Sequence, residues 1–123
     1  DEAKKYYITV LELAPKDANY NCTYAHYLII SQQDFKEAEI YINKSFKNIK
    51  DEPSDIFLEL WFYRYAHYSK WRELAEKELE ALLEKGAKSI GWNLDPHIEI
   101  AIKNGHPNPE KLQEFADRIT SID

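Results

Sequence analysis

Four histidines, one cysteine and a row of carboxylates are the residues of this chain that could do chemistry. His97 and His106 flank one short predicted helix, with Asp95 and Glu99 nearby, and a divalent metal is the first chemistry such a set suggests. Zinc needs three or four ligands converging at fixed distance, and neither an HxxxH nor an HExxH spacing occurs, so no metal is assigned. His97, near a helix start, and His106, beside Gly105 and Pro107, read as capping or turn residues. His26 and His67 read as packed or groove-edge residues on their helices. Cys22 lies on an apolar helix side, where a thiol is inert packing, and no basic neighbour in sequence activates it. Glu73, Glu76, Glu80 and Glu84 are spaced as a solvated helix face rather than as an acid–base pair. Glycine stands at 86, 91 and 105 only, too few for a phosphate-cradling loop or a GxSxG elbow. Asn21-Cys22-Thr23 and Asn43-Lys44-Ser45 match the glycosylation pattern, but both fall inside predicted helices. The expectation is a chain without catalytic, cofactor-binding or metal-binding residues, and so not an enzyme.

The composition narrows the partners. With 123 residues the chain is one domain's worth of sequence, and 44% hydrophobic with 31% charged residues is ordinary for a folded protein. A net charge of −6 argues against nucleic acid or an anionic membrane, both of which are read by clustered Lys and Arg. No apolar run is long enough to cross a bilayer, and no signal peptide is evident. A single cysteine excludes an internal disulfide and suits cytosol or periplasm alike, which leaves the compartment open. The chain has no methionine and begins within a helical pattern. Both features read as a piece of something longer.

Apolar spacing then sets out the elements. Residues 1–14 carry Ala3, Tyr6, Tyr7, Val10, Leu11 and Ala14 at helical intervals, and Pro15 ends the run. Residues 19–32 follow, with Tyr20, Cys22, Tyr24, Ala25, Leu28 and Ile29 apolar almost all round. Asp34 is placed to cap a third helix whose stripe is Phe35, Ala38, Ile42, Ser45, Phe46 and Ile49. A polar break at residues 50–53 precedes a fourth helix, capped by Ser54 or Asp55, with Phe57, Leu58, Trp61, Phe62, Tyr65 and Tyr68. The fifth turns Trp71, Leu74, Ala75, Leu79 and Leu82 inward and closes on Gly86. After a linker at 87–94, Asp95-Pro96 and Asn108-Pro109 repeat one device, a capping side chain before a proline at the first helical position. They open helices at 96–104, closed by Gly105, and at 109–121, striped by Leu112, Phe115, Ala116 and Ile119. The reading is all-α with seven helices.

The stripe of Ala3, Tyr7 and Val10 recurs 35 residues on as Ala38, Ile42 and Ser45, and an interval of this size marks stacked helix pairs. On these residues the chain resembles the tetratricopeptide repeat family. Residues 1–15 resemble the second helix of a repeat ending on its proline. Residues 19–50 resemble a full repeat through Ala25, Asp34-Phe35, Ala38, Ile42 and Ser45. Residues 54–86 resemble another through Trp61, Tyr65, Trp71, Leu74 and Ala81, with Leu74 where alanine is usual and no closing proline. Residues 87–123, with Trp92 and the Gly105-His106-Pro107 turn, lie outside the resemblance and read as a linker and capping helix pair. The implied fold is a right-handed superhelical array of antiparallel helix pairs.

That resemblance also implies a site. The first helix of each pair would line a concave groove, with Tyr20, Thr23, Tyr27 and Ile30 from one repeat and Glu59, Tyr63 and Ala66 from the next. Tyrosines suit contact because each offers a large apolar area and a polar tip. Family members that clamp an acidic C-terminus use Lys, Arg and Asn at such places. Here those places are neutral, aromatic or acidic. The implied partner is therefore a neutral or basic peptide or helix, and the implied role is that of a non-enzymatic interaction scaffold. The alternative is a self-assembly module: with its first helix absent, the opening half-repeat would leave Tyr6, Tyr7 and Val10 to pair with upstream repeats or another copy, giving a homo-oligomer.

Overall fold

The computed structural model describes residues 2–49 and 55–122, and among these it holds seven α-helices and no strand. The polar break at 50–53 and the Ser54 cap lie outside the described residues. The chain divides into two compact units, residues 1–52 and residues 53–123.

The first unit contains α1 (Glu2–Leu13), α2 (Ala18–Tyr27), a π-helical turn (Leu28–Gln32) and α3 (Phe35–Asn48). Helix ends follow local chemistry. The Asp17 carboxylate accepts from the Tyr20 N–H at 2.9 Å, and the Asp34 carboxylate accepts from the Glu37 N–H at 3.1 Å, each satisfying a donor the first helical turn leaves unpaired. Asn21 fastens the α1–α2 connection, its Nδ2 donating to the carbonyls of Pro15 and Asp17. This buried use removes Asn21 from any role as a glycosylation acceptor. The core joins Cys22, Tyr24, Ala25, Leu28 and Ile29 to Ala38, Ile42 and Leu11. Small residues let α2 and α3 approach closely, and Ser45 uses that closeness to donate to the Ala18 carbonyl at 2.7 Å. The π turn holds one residue more than α-helical geometry needs. It ends on Gln33, whose φ of 48° is left-handed.

The second unit is built around α4 (Asp55–His67). A 3-10 turn (Ser69–Trp71) leads into α5 (Arg72–Glu84), and α6 (Asp95–Lys103) and α7 (Pro109–Thr120) complete the bundle. All three later helices pack on α4. This is why Leu58 to Leu60 and Phe62 to Ala66 are buried in unbroken runs rather than on one stripe. Gly86 and Gly105 end α5 and α6 in the same way. Each takes a left-handed φ, 89° and 86°, and the residue after it donates back to a carbonyl of the last turn. On α5 the outward glutamates are not uniformly solvated. Glu80 is half-buried and accepts from Lys111 at 3.0 Å and Arg118 at 2.9 Å of α7, both of which also reach Glu114. Leu74, expected inward, is 44% exposed.

The paired proline device works at one site only. Asn108 accepts from the Lys111 N–H at 3.1 Å, as expected. Asp95 instead is the first residue of α6, and its own N–H is taken by the Asn93 side chain at 3.1 Å. In urea denaturation, Asn108→Ala should therefore lower stability by about 1 kcal/mol. Asp95→Ala should lose only a helix-dipole contribution, about 0.3 kcal/mol.

Candidate functional site

Sequence reasoning named seven groove residues, and their surroundings differ sharply. Tyr20 is 37% exposed, and Thr23, Tyr27 and Ile30 are half-buried. Intervals of three and four place Tyr20, Thr23 and Tyr27 on one face of α2, and Ile30 follows in the π turn. Thr23 donates to the Asn19 carbonyl at 2.9 Å, and the Tyr27 hydroxyl accepts from Gln32 Nε2 at 3.3 Å. These four form one partly open strip.

A tyrosine cluster supports the strip. Tyr7 of α1 lies 5.3 Å from the Tyr27 ring and 5.4 Å from that of Tyr24, which meets Tyr41 of α3 edge-on at 4.6 Å. Tyr7 is thus partnered within its own unit, contrary to the expectation from the missing first helix. Tyr6 packs edge-on against Tyr7 and stays 60% exposed. Burial, followed by Glu37, pushes the Tyr24 hydroxyl up to about 12, and the same two causes raise that of Tyr41. Both phenols stay protonated near neutrality, so the cluster offers contact area rather than a phenolate. On another side of this unit a cleft of about 200 Å³ lies among Leu11, Pro15, Asn21 and Tyr41, with Glu12 and Lys44 at its edge.

Glu59, Tyr63 and Ala66 are not on a surface. They are 6%, 0% and 2% exposed, because α6 and the segment before it cover this face of α4. Ser89 Oγ donates to Glu59 Oε1 at 3.3 Å, and the Tyr63 ring stacks 4.5 Å from His97. The Ala66 carbonyl receives Arg72 Nη2 at 3.4 Å.

His97 is accordingly a core residue and not a helix cap. It is fully buried, and its Nδ1 lies 2.9 Å from His67 Nε2. His106 is the turn residue expected from its neighbours. Its Nε2 donates to the Tyr65 carbonyl at 3.1 Å, while Nδ1 accepts from the Asn108 N–H at 3.0 Å, an arrangement that requires the neutral ring. Burial, then electrostatic opposition from the neighbouring His106 and Arg72, pushes His67 down to about 3. Burial and Arg72 lower His106 against the opposing bond to Tyr65. Sequence reasoning missed this nest because its members stand 30 and 39 positions apart. The available signal was Tyr63 and His67, four apart on one face of α4.

Among the described residues no three His, Cys, Asp or Glu side chains converge as metal ligands, and Cys22 is buried. No helix among them is long and apolar enough to cross a membrane. No family model, curated protein or solved structure matches the chain.

The two aromatic faces should respond differently to truncation. Tyr63→Ala should cost about 3 kcal/mol or more, the price of a core cavity. Tyr20→Ala should stay within about 0.5 kcal/mol of wild type. Chemical denaturation of each variant measures both.

Proposed function

We propose that this chain is a non-enzymatic protein-interaction module that holds a neutral or basic peptide or helix on the Tyr20, Thr23, Tyr27 and Ile30 face of α2. The observation that carries the reading is this strip of partly open apolar and aromatic side chains, held in place from behind by Tyr7, Tyr24 and Tyr41. Rigid tyrosines lose little conformational freedom on contact and offer both apolar area and a hydroxyl. The net charge of −6 favours a basic partner over an acidic one.

The tetratricopeptide resemblance belongs to the same reading, with its superhelical array of helix pairs. Its period is 34 residues, against 35 between the matching stripes here, and the π turn at Leu28–Gln32 accommodates one extra residue between them. The pattern therefore tolerates the longer interval without breaking the α2–α3 pair.

Self-association is a second reading, favoured by α1. Its Tyr6, Ile8 and Leu13 are 60%, 41% and 84% exposed, more apolar surface than one short helix normally shows to water.

Selection from a displayed random-peptide library, followed by fluorescence anisotropy, tests the first reading. The double variant Tyr20→Ala/Tyr27→Ala, with its circular dichroism unchanged, should weaken the selected peptide about tenfold or more, a loss of about 1.4 kcal/mol. Unaltered affinity would refute the α2 site. Concentration-dependent sedimentation that Leu13→Asp abolishes would establish the second reading instead.

A further inference from the structure

We propose that His67, His97 and His106 form an acid-released latch that holds α6 and the α6–α7 corner on α4, and that protonating them uncovers Tyr63 and Tyr65, which lie on two different sides of that helix. The latch is independent of the α2 reading above. Three of the four histidines of the chain sit in this one place, at both ends of α6. At the first end, His97 is sealed between the Tyr63 ring and His67, whose ring centroid is 5.2 Å away. A hydrogen bond between two imidazoles needs one nitrogen to donate and the other to accept, so it fails once both rings carry their full complement of protons. At the second end, His106 accepts from Asn108 through Nδ1, and that bond is lost as soon as Nδ1 is protonated.

The surroundings do not favour the added charge. Arg72 of α5 donates Nε to the Tyr65 carbonyl at 2.9 Å, the same oxygen that receives His106 Nε2 at 3.1 Å. A protonated His106 would therefore share one acceptor with a guanidinium. Arg72 and His106 also act on His67 from α5 and from the α6–α7 turn. From α4 itself the Tyr63 and Tyr65 rings face His97 and His106. Glu76 of α5 and Lys111 and Glu114 of α7 act on Tyr65.

Both depressed histidines bind protons less readily in the closed state than at their ordinary value of 6.5. Their contribution is therefore complete above that value and falls away as the pH drops below it. An imidazole that remains neutral when closed shifts the closed-to-open ratio about fiftyfold between pH 6.5 and pH 4.5. The Glu80 network responds lower. Its carboxyl is held below 4.5 by the bond from Lys111 and then by Arg118, so its contribution begins to fall only below that value.

The whole chain, taken from pH 7.5 to 4.5, provides the test. An anionic naphthalene dye should brighten several-fold and near-ultraviolet ellipticity should fall while far-ultraviolet helicity is kept. A chain that stays closed to pH 4.5 would overturn the latch. His67→Gln/His97→Gln keeps neutral donors and acceptors at the α6 end and should move the transition down by about one pH unit or more. An unmoved midpoint would also overturn it. If that variant is unfolded at pH 7.5, imidazole resonances of the wild-type chain decide. Titration of His67, His97 and His106 together with shifts at Tyr63 and Tyr65 supports the latch. Titration near 6.5 with both tyrosines unchanged refutes it.

Discussion

The carbonyl oxygen of Tyr65 is the point on which the second unit turns. It lies in the last turn of α4, where helix geometry leaves acceptors unpaired. Arg72 Nε from the start of α5 and His106 Nε2 from the α6–α7 turn both donate to it, at 2.9 and 3.1 Å. One oxygen thus ties the two chain segments that wrap α4. Arg72 also reaches the Ala66 carbonyl, so α4 ends on a half-buried guanidinium. Arg64, the residue before Tyr65, lies over the rings of Trp71 and Trp61, at 3.9 and 5.0 Å, and brings the 3-10 turn against the same helix. With its end fixed and its sides covered, α4 is the core of its unit.

That constraint separates two aromatic faces that look alike in sequence. Both α2 and α4 carry tyrosines within a helix that is apolar almost all round. On α2 Tyr20 and Tyr27 are left partly open, while Tyr24 is buried behind them with Tyr7 and Tyr41. On α4 Tyr63 spends its face on His97 of α6, and Tyr65 is covered by His106 and by Phe115 of α7. The same residue type is therefore partly open in one unit and buried in the core of the other. The histidines that hold the roof are neutral because they are buried beside a cation, which makes cohesion there depend on proton concentration.

Helix ends were legible because their causes are local. Pro15, Asp34, Gly86, Gly105 and Asn108 each act within a few residues, and each marks a helix end in the structure. Asp95 misled because Asn93, two positions earlier, supplies the acceptor instead. Burial was less legible. The aromatic run on α4 is apolar all round, so spacing alone could not tell that Glu59, Tyr63 and Ala66 would be covered, Glu59 by Ser89 and Tyr63 by His97. Leu74 fits the inward stripe of α5 and yet faces out, because tertiary contact, not period, decides which side is roofed. The His67–His97 pair needs two helices 30 residues apart to meet, and no local pattern announces it.

The central claim is that the accessible aromatic face lies on α2 and that the matching face of α4 is closed at neutral pH. Thiol labelling measures this directly, with buried Cys22 as the internal reference. At pH 7.5, Tyr20→Cys should react like a free thiol, and Ala66→Cys about a hundredfold more slowly, because its labelling must wait for an opening. Equal rates at the two positions would contradict the account.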